Sequence, residues 1–186
     1  MQVKKNEILG FYTIKPKIFS DERGYFFESY NKDRYEKILN TESFVQDDHS
    51  FSGKNVLRGI HFQTHNPQAQ LLYLVTGKIF FVIVDFRINS KTFLQHESMI
   101  INSENHLQVY MSPGIGCGFY TLSENVNIIY KISKLYGQSN EIGIAWNDKD
   151  LKIDWPCTKP ILSKKDMNNF CLKDINFEEF EDLMIL

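Results

Sequence analysis

Residues 71–85, LLYLVTGKIFFVIVD, constrain the fold more than any other stretch of the chain. Two blocks rich in Leu, Val, Ile and Phe are split by Thr76-Gly77-Lys78. Such residues fit a pleated surface, and each block has the length of a strand rather than of a helix. A glycine between two blocks of this kind predicts a hairpin whose arms pair with each other. Residues 98–101, 107–111, 119–122 and 126–133 read as further strands, each bounded by Ser, Asn, Gly or Pro. Many short strands at this spacing predict an all-β antiparallel sandwich or barrel.

Two segments read as helix. Residues 32–39 place Tyr35, Ile38 and Leu39 on one face, with Asn31 as N-cap. Residues 175–183 carry Phe177, Phe180 and Leu183 at helical spacing with acidic residues between them, so the 167–186 extension is expected to be helical. No repeat or linker divides the chain, and residues 1–186 read as a single domain.

Composition excludes several classes. A hydrophobic fraction of 42% is too high for a disordered chain. Lys plus Arg is 21 and Asp plus Glu is 23, a net charge of −2, which gives no basic excess for nucleic-acid backbones. No apolar run has the roughly 18 residues of a membrane span, and the N-terminus lacks a signal-peptide core. A cytoplasmic protein with no membrane partner is expected. Cys117, Cys157 and Cys171 are odd in number and show no CxxC spacing, which argues against a disulfide framework.

The familiar chemical motifs are missing: GxGxxG after a strand, GxxxxGK[ST], GxSxG, HxH and HExxH. His61 and His65 are four apart, but Asn66-Pro67 makes that region a loop, so no metal site is expected. One dense segment remains, NVLRGIHFQ at 55–63. In a regular strand Arg58 and His61 would point to opposite faces; a bulge at Gly59 would bring them to the same one. A fixed cation there calls for an anion or substrate to pair with it. A second polar group of segments follows: Tyr130-Lys131, Trp146-Asn147-Asp148, Trp155-Pro156 and residues 162–166. Tyr130 could serve as a general acid and Asp166 could orient a histidine.

In collinear order, DERGYFFESY, QDDHSFS, NVLRGIHFQ, VTGKIFFVIVDFR, SPGIGCGFYTLSE, IIYKIS, EIGIAWNDKDLKIDWP and LSKKD resemble the dTDP-4-dehydrorhamnose 3,5-epimerase family, from about Phe11 to Asp166. The resemblance implies a double-stranded β-helix, the cupin jelly roll, and a homodimer. It implies inversion of carbon 3, carbon 5 or both in a nucleotide-diphosphate-linked 4-keto sugar, with no metal and no other cofactor. The ketone acidifies the neighbouring C–H bonds, an enolate forms, and reprotonation from the opposite face inverts the centre. Such chemistry needs a base and an acid on opposite sides of the ring. By motif, His61 would be the base, Asp166 its support and Tyr130 the opposite-face acid. Arg58 would meet the diphosphate or the sugar. Arg23, Glu28, Gln46, Glu141 and Lys165 would be further substrate contacts, and Tyr136 the ring on which the nucleotide base stacks.

Four positions depart from the family pattern. Gln70 stands where a Lys is usual, Phe81 where an Asp is usual, Cys117 where a His is usual and Asp48 where an Asn is usual. Gln70 and Phe81 fall on the two arms of the expected hairpin, as if one ion pair had been removed whole. Changed contacts at Gln70, Cys117 and Asp48 around an intact acid–base trio favour an altered substrate, a GDP-linked 4-keto-heptose of capsule pathways. The alternatives are the dTDP-rhamnose enzyme itself, an epimerase of one centre, a 3,4-ketoisomerase, a metal cupin, or a non-catalytic sugar-binding jelly roll.

Overall fold

The computed structural model describes residues 1–184. In chain order the strands are β1 (Gln2–Lys5), β2 (Phe11–Lys15), β3 (Phe19–Asp21), β4 (Gly24–Phe26), β5 (Gln46–Ser52), β6 (Leu57–Gln63), β7 (Gln70–Thr76), β8 (Lys78–Asp85), β9 (His96–Asn102), β10 (Gln108–Met111), β11 (Ile115–Thr121), β12 (Val126–Ile132) and β13 (Glu141–Gly143). Helix α1 (Lys32–Leu39) lies between β4 and β5. One sheet has the order β1-β2-β10-β7-β12-β5 and the second β13-β6-β11-β8-β9, while β3 and β4 form a separate ribbon. Neighbouring strands are antiparallel, and the two large sheets stack as a jelly-roll sandwich.

Alternation along the strands divides the apolar residues into three layers. Leu72 and Leu74 of β7 and Ile128 of β12 meet Ile79, Phe81 and Ile83 of β8 between the sheets. The outer face of the second sheet, with Phe62, Val82 and Val84, is covered by Leu151, Trp155, Leu172 and Leu183 from the C-terminal third. Leu71 and Tyr110 on the outer face of the first sheet are covered by Tyr35 and Leu39 of α1.

The expected hairpin does not form. β7 pairs with β10 and β12, whereas β8 pairs with β11 and β9. Gly77 is instead the corner at which the chain leaves one sheet for the other. Its φ is +99°, and a Cβ there would lie 2.4 Å from the Asn125 carbonyl oxygen. Gln70 and Phe81 therefore sit on opposite sheets. Phe81 lies in the inter-sheet core, 1% exposed, in register with Phe119.

The short helix falls where its cap predicts. The Asn31 side chain accepts the Arg34 N–H at 3.1 Å, and Asn40 closes the other end in the left-handed region at φ 49°. Tyr35 and Leu39 are buried as expected, but Ile38 is 47% exposed.

The C-terminal extension departs from a single amphipathic helix. It forms 3-10 turns at Leu172–Asp174, Phe177–Glu179 and Glu181–Leu183. Asn176 caps the middle turn by accepting the Glu178 N–H, and Phe180 leaves helical geometry with ψ 73°. Phe177, Phe180 and Leu183 are three apart, the period of a 3-10 turn, so they reach the same core layer by a different backbone. The expectation for residues 185–186 lies outside the described residues. Among the described residues no helix is long and apolar enough to cross a membrane.

Candidate active site

β6 carries the bulge expected at Gly59. Cys117 of β11 pairs with His61 and Phe119 pairs with Arg58, so one strand has an extra residue between two matched pairs. The bulge requires glycine. Its φ is +95°, and a Cβ would lie 2.6 Å from the Cys117 carbonyl oxygen and 2.7 Å from the Gly118 Cα. Beyond the bulge the alternation is reset. Ile60 and Phe62 enter the outer core, while Arg58, His61 and Gln63 line a cavity of about 390 Å³ at the mouth of the sandwich.

The cavity draws its wall from both sheets. His61 comes from β6; Gln70 from β7 and Tyr130 from β12 come from the other sheet. His61 Nε2 lies 2.7 Å from Asp166 Oδ1. Asp166 is 5% exposed, and its second oxygen accepts the Ser163 hydroxyl at 2.7 Å. The Gly59 N–H, at 3.4 Å, adds a weaker donor. Burial opposes ionisation of this carboxyl, but the bonds from His61 and Ser163 outweigh it and hold it below the usual carboxylate range. With Nε2 engaged, Nδ1 is the ring nitrogen left for a substrate proton. It stands 3.9 Å from Glu141 Oε1, and that carboxylate is itself paired with Lys165.

Tyr130 is set beside Asp48 of β5 by register, and its hydroxyl is 3.5 Å from Ser50 Oγ. Burial pushes its phenol well above the ordinary tyrosine value, so it stays protonated and able to donate. Burial also pushes the Cys117 thiol up to about 12, which keeps it neutral. Arg58 is exposed rather than buried within an apolar strand. Its Nε donates to Ser52 Oγ at 3.0 Å and an Nη to the Phe51 carbonyl at 3.1 Å. It has no ion-pair partner among the described residues, which leaves its charge for an anionic ligand.

Of the expected site residues, His61, Tyr130, Asp166, Asp48, Arg58, Gln70, Cys117, Tyr136, Glu141 and Lys165 all line this cavity. Gln46 stands behind it. Its amide nitrogen donates to Asp48 at 2.9 Å and its oxygen accepts the Tyr136 N–H at 3.2 Å, so it braces two lining residues. Arg23 and Glu28 are not brought to the cavity of their own chain. Arg23 pairs with Asp21 across the tip of the β3–β4 ribbon, and Glu28 pairs with Arg34 of α1. Trp146, Asp148 and Trp155 are structural: the Trp155 indole donates to the Trp146 carbonyl at 2.7 Å, and Asp148 accepts three backbone N–H groups. Ser50, Gln63, Gln68 and Ser163 line the cavity without having been expected there. For Gln63 the signal was available, since it lies two residues beyond His61 on the same face. A larger cavity of about 530 Å³ beside Pro67, Tyr110 and Lys134 contains none of the expected residues.

The dTDP-4-dehydrorhamnose 3,5-epimerase family profile matches residues 5–174. The dTDP-4-dehydrorhamnose 3,5-epimerase of Salmonella typhimurium is 44% identical over 169 residues, covering 89% of this chain and 92% of the relative. That of Escherichia coli K12 is 40% identical over 178 residues, covering 94% and 96%. The solved structure of dTDP-6-deoxy-D-glucose-3,5-epimerase from Legionella pneumophila, in complex with dTDP-4-keto-L-rhamnose, superposes with a TM-score of 0.91 at 39% identity and covers 96% of both chains. These relatives are dTDP-sugar enzymes, so the expectation of a GDP-linked heptose and a capsule role, drawn from Gln70, Cys117 and Asp48, is not supported. With its profile, its jelly roll and its relatives in agreement, the chain belongs to the dTDP-4-dehydrorhamnose 3,5-epimerase family of nucleotide-sugar isomerases.

Proposed function

We propose that the chain inverts carbons 3 and 5 of a dTDP-linked 4-keto-6-deoxy sugar, and that it works as a homodimer. The observation that carries this reading is the placement of His61 and Tyr130 on opposite sheets, both lining one cavity. A sugar ring held between the sheets meets a base on one face and an acid on the other. His61 Nδ1 takes a proton from the carbon beside the ketone, and the resulting imidazolium is stabilised by Asp166. Tyr130 then gives its proton to the opposite face of the enolate carbon. Exchange with solvent returns the imidazole and the phenol to their starting states. Arg58 meets the diphosphate, and Tyr136, 44% exposed at the rim, offers a ring to the base.

The β3–β4 ribbon supports the dimer. Phe19, Tyr25 and Phe26 are 54%, 60% and 72% exposed on it, more apolar surface than so short a ribbon leaves to water without a partner. Light scattering expects twice the mass of one chain. The activity is tested by incubating the protein with a dTDP-linked 4-keto-6-deoxy sugar in deuterated water and following carbons 3 and 5 by NMR. Deuterium and inversion at both are expected; no deuterium at either would overturn the reading.

A further inference from the structure

Gln63 is 8% exposed, lines the active-site cavity, and leaves its side-chain amide nitrogen without a hydrogen-bond partner among the described residues. Buried donors are almost always satisfied, because a stranded one gives up its water and gains nothing in return. The exceptions collect where a ligand completes the bond. Gln63 stands two residues past His61 on the inward face of β6, so the amide and the base share one wall. Its cross-strand neighbour is Glu141, whose carboxylate is taken by Lys165 and not by Gln63. Two more glutamines line the same space: Gln68, also 8% exposed, and Gln70, which comes from the other sheet.

We infer that Gln63, together with Gln68 and Gln70, forms an uncharged amide subsite that binds the oxygens of the sugar, the Gln63 amide turning from its closed-off position to donate to one of them. Neutral N–H donors suit hydroxyl and keto oxygens, whereas the cation Arg58 suits the diphosphate. Arg58 thereby serves the diphosphate, and Gln63 reads the sugar rather than the nucleotide. The inference rests on the nucleotide-sugar reading of the site.

Gln63→Leu removes the donor at similar volume. Calorimetry with two probes, dTDP and dTDP-glucose, separates the two roles. The variant is expected to bind dTDP within about 2-fold of wild type, while the ratio of its dTDP-glucose to dTDP dissociation constants rises at least about 5-fold. Its melting temperature should equal or exceed that of wild type, since an unsatisfied buried donor is gone. An unchanged ratio overturns the inference, as does a variant that melts several degrees lower or fails to fold, which would mark Gln63 as structural. Failure of wild type to bind either probe overturns it as well. Deuterium exchange by wild type with an unchanged ratio in the variant sinks the amide subsite alone, whereas absent exchange sinks the proposed activity.

Discussion

His61 and Asp166 are 105 residues apart in the chain and 2.7 Å apart in space, and the carboxylate that closes this gap is gripped on its far side by Ser163. An imidazole held this way cannot swing its free nitrogen away from the cavity, and its cation finds a buried counter-charge. Asp166→Asn keeps the shape and removes the charge. Steady-state kinetics should show kcat/KM reduced by about 100- to 1,000-fold, about 3–4 kcal/mol at the transition state. Ser163→Ala, which loosens the carboxylate without removing it, should cost no more than about 10-fold.

The two faces of the ring are separable by mutation. On the proposed roles, His61→Asn should reduce deuterium exchange at both carbons by about 10²- to 10⁴-fold. Tyr130→Phe should leave exchange measurable and block inversion, because only the opposite-face acid is gone. NMR in deuterated water reads both quantities in one sample. His61→Asn exchanging at the wild-type rate would remove His61 as the base.

The acid limb of stability has a defined position. Asp166 and Asp85 both have folded-state pKa values below their ordinary value of 3.8; burial opposes each shift, and hydrogen bonds from His61 and Ser163, or from Arg87, Ser90 and Thr92, prevail. A carboxyl with a lowered folded pKa contributes stability above its unfolded pKa and loses it as pH falls through the folded one. Thermal melts should therefore hold steady down to about pH 4 with respect to these two groups and fall below it. Tyr130 acts at the other end. Its raised pKa contributes stability that is complete below pH 10, its ordinary value, and is lost as pH rises above that.

Gly59 tests the bulge. A methyl group at this position meets backbone atoms at 2.6 and 2.7 Å and a φ of +95°, and neither β6 nor β11 has a flexible tip that could yield. Gly59→Ala should destabilise the fold by about 2–4 kcal/mol, seen as a lower melting temperature. Residual folded protein should lose activity further, because the bulge is what turns Arg58 and His61 to the same side.

Local sequence carried the elements that depend on local rules. Asn31 capped the helix it was expected to cap, and Gly59, between Arg58 and His61, marked a bulge. The Gly77 turn is not decided locally, because a glycine with positive φ suits a hairpin and a sheet-to-sheet corner equally. The choice between them lies with β10, β11 and β12, far along the chain. Phe177, Phe180 and Leu183 have a spacing that an α-helix and a 3-10 turn both accommodate. The stacking of Phe177 on Phe86 and Phe62, 6.1 and 6.3 Å between centroids, shows what the segment covers. The motif containing Arg23 and Glu28 was legible as a motif, but not the fact that its ribbon stands clear of the cavity. Gln63 is the least legible of the lining residues, because an amide in an apolar strand has no motif, only a neighbour two residues away.

The C-terminal third does more than cover the outer face of the second sheet. The bulge, His61 and Tyr130 are all encoded by residue 130, yet the carboxylate that holds the His61 imidazole comes at 166. A chain made only as far as β12 holds both of these side chains, His61 and Tyr130, but lacks Tyr136, Glu141 and Lys165 of the cavity wall as well as Asp166. On the proposed roles, the base gains its counter-charge and the cavity the rest of its wall from one and the same segment, the one that follows β12.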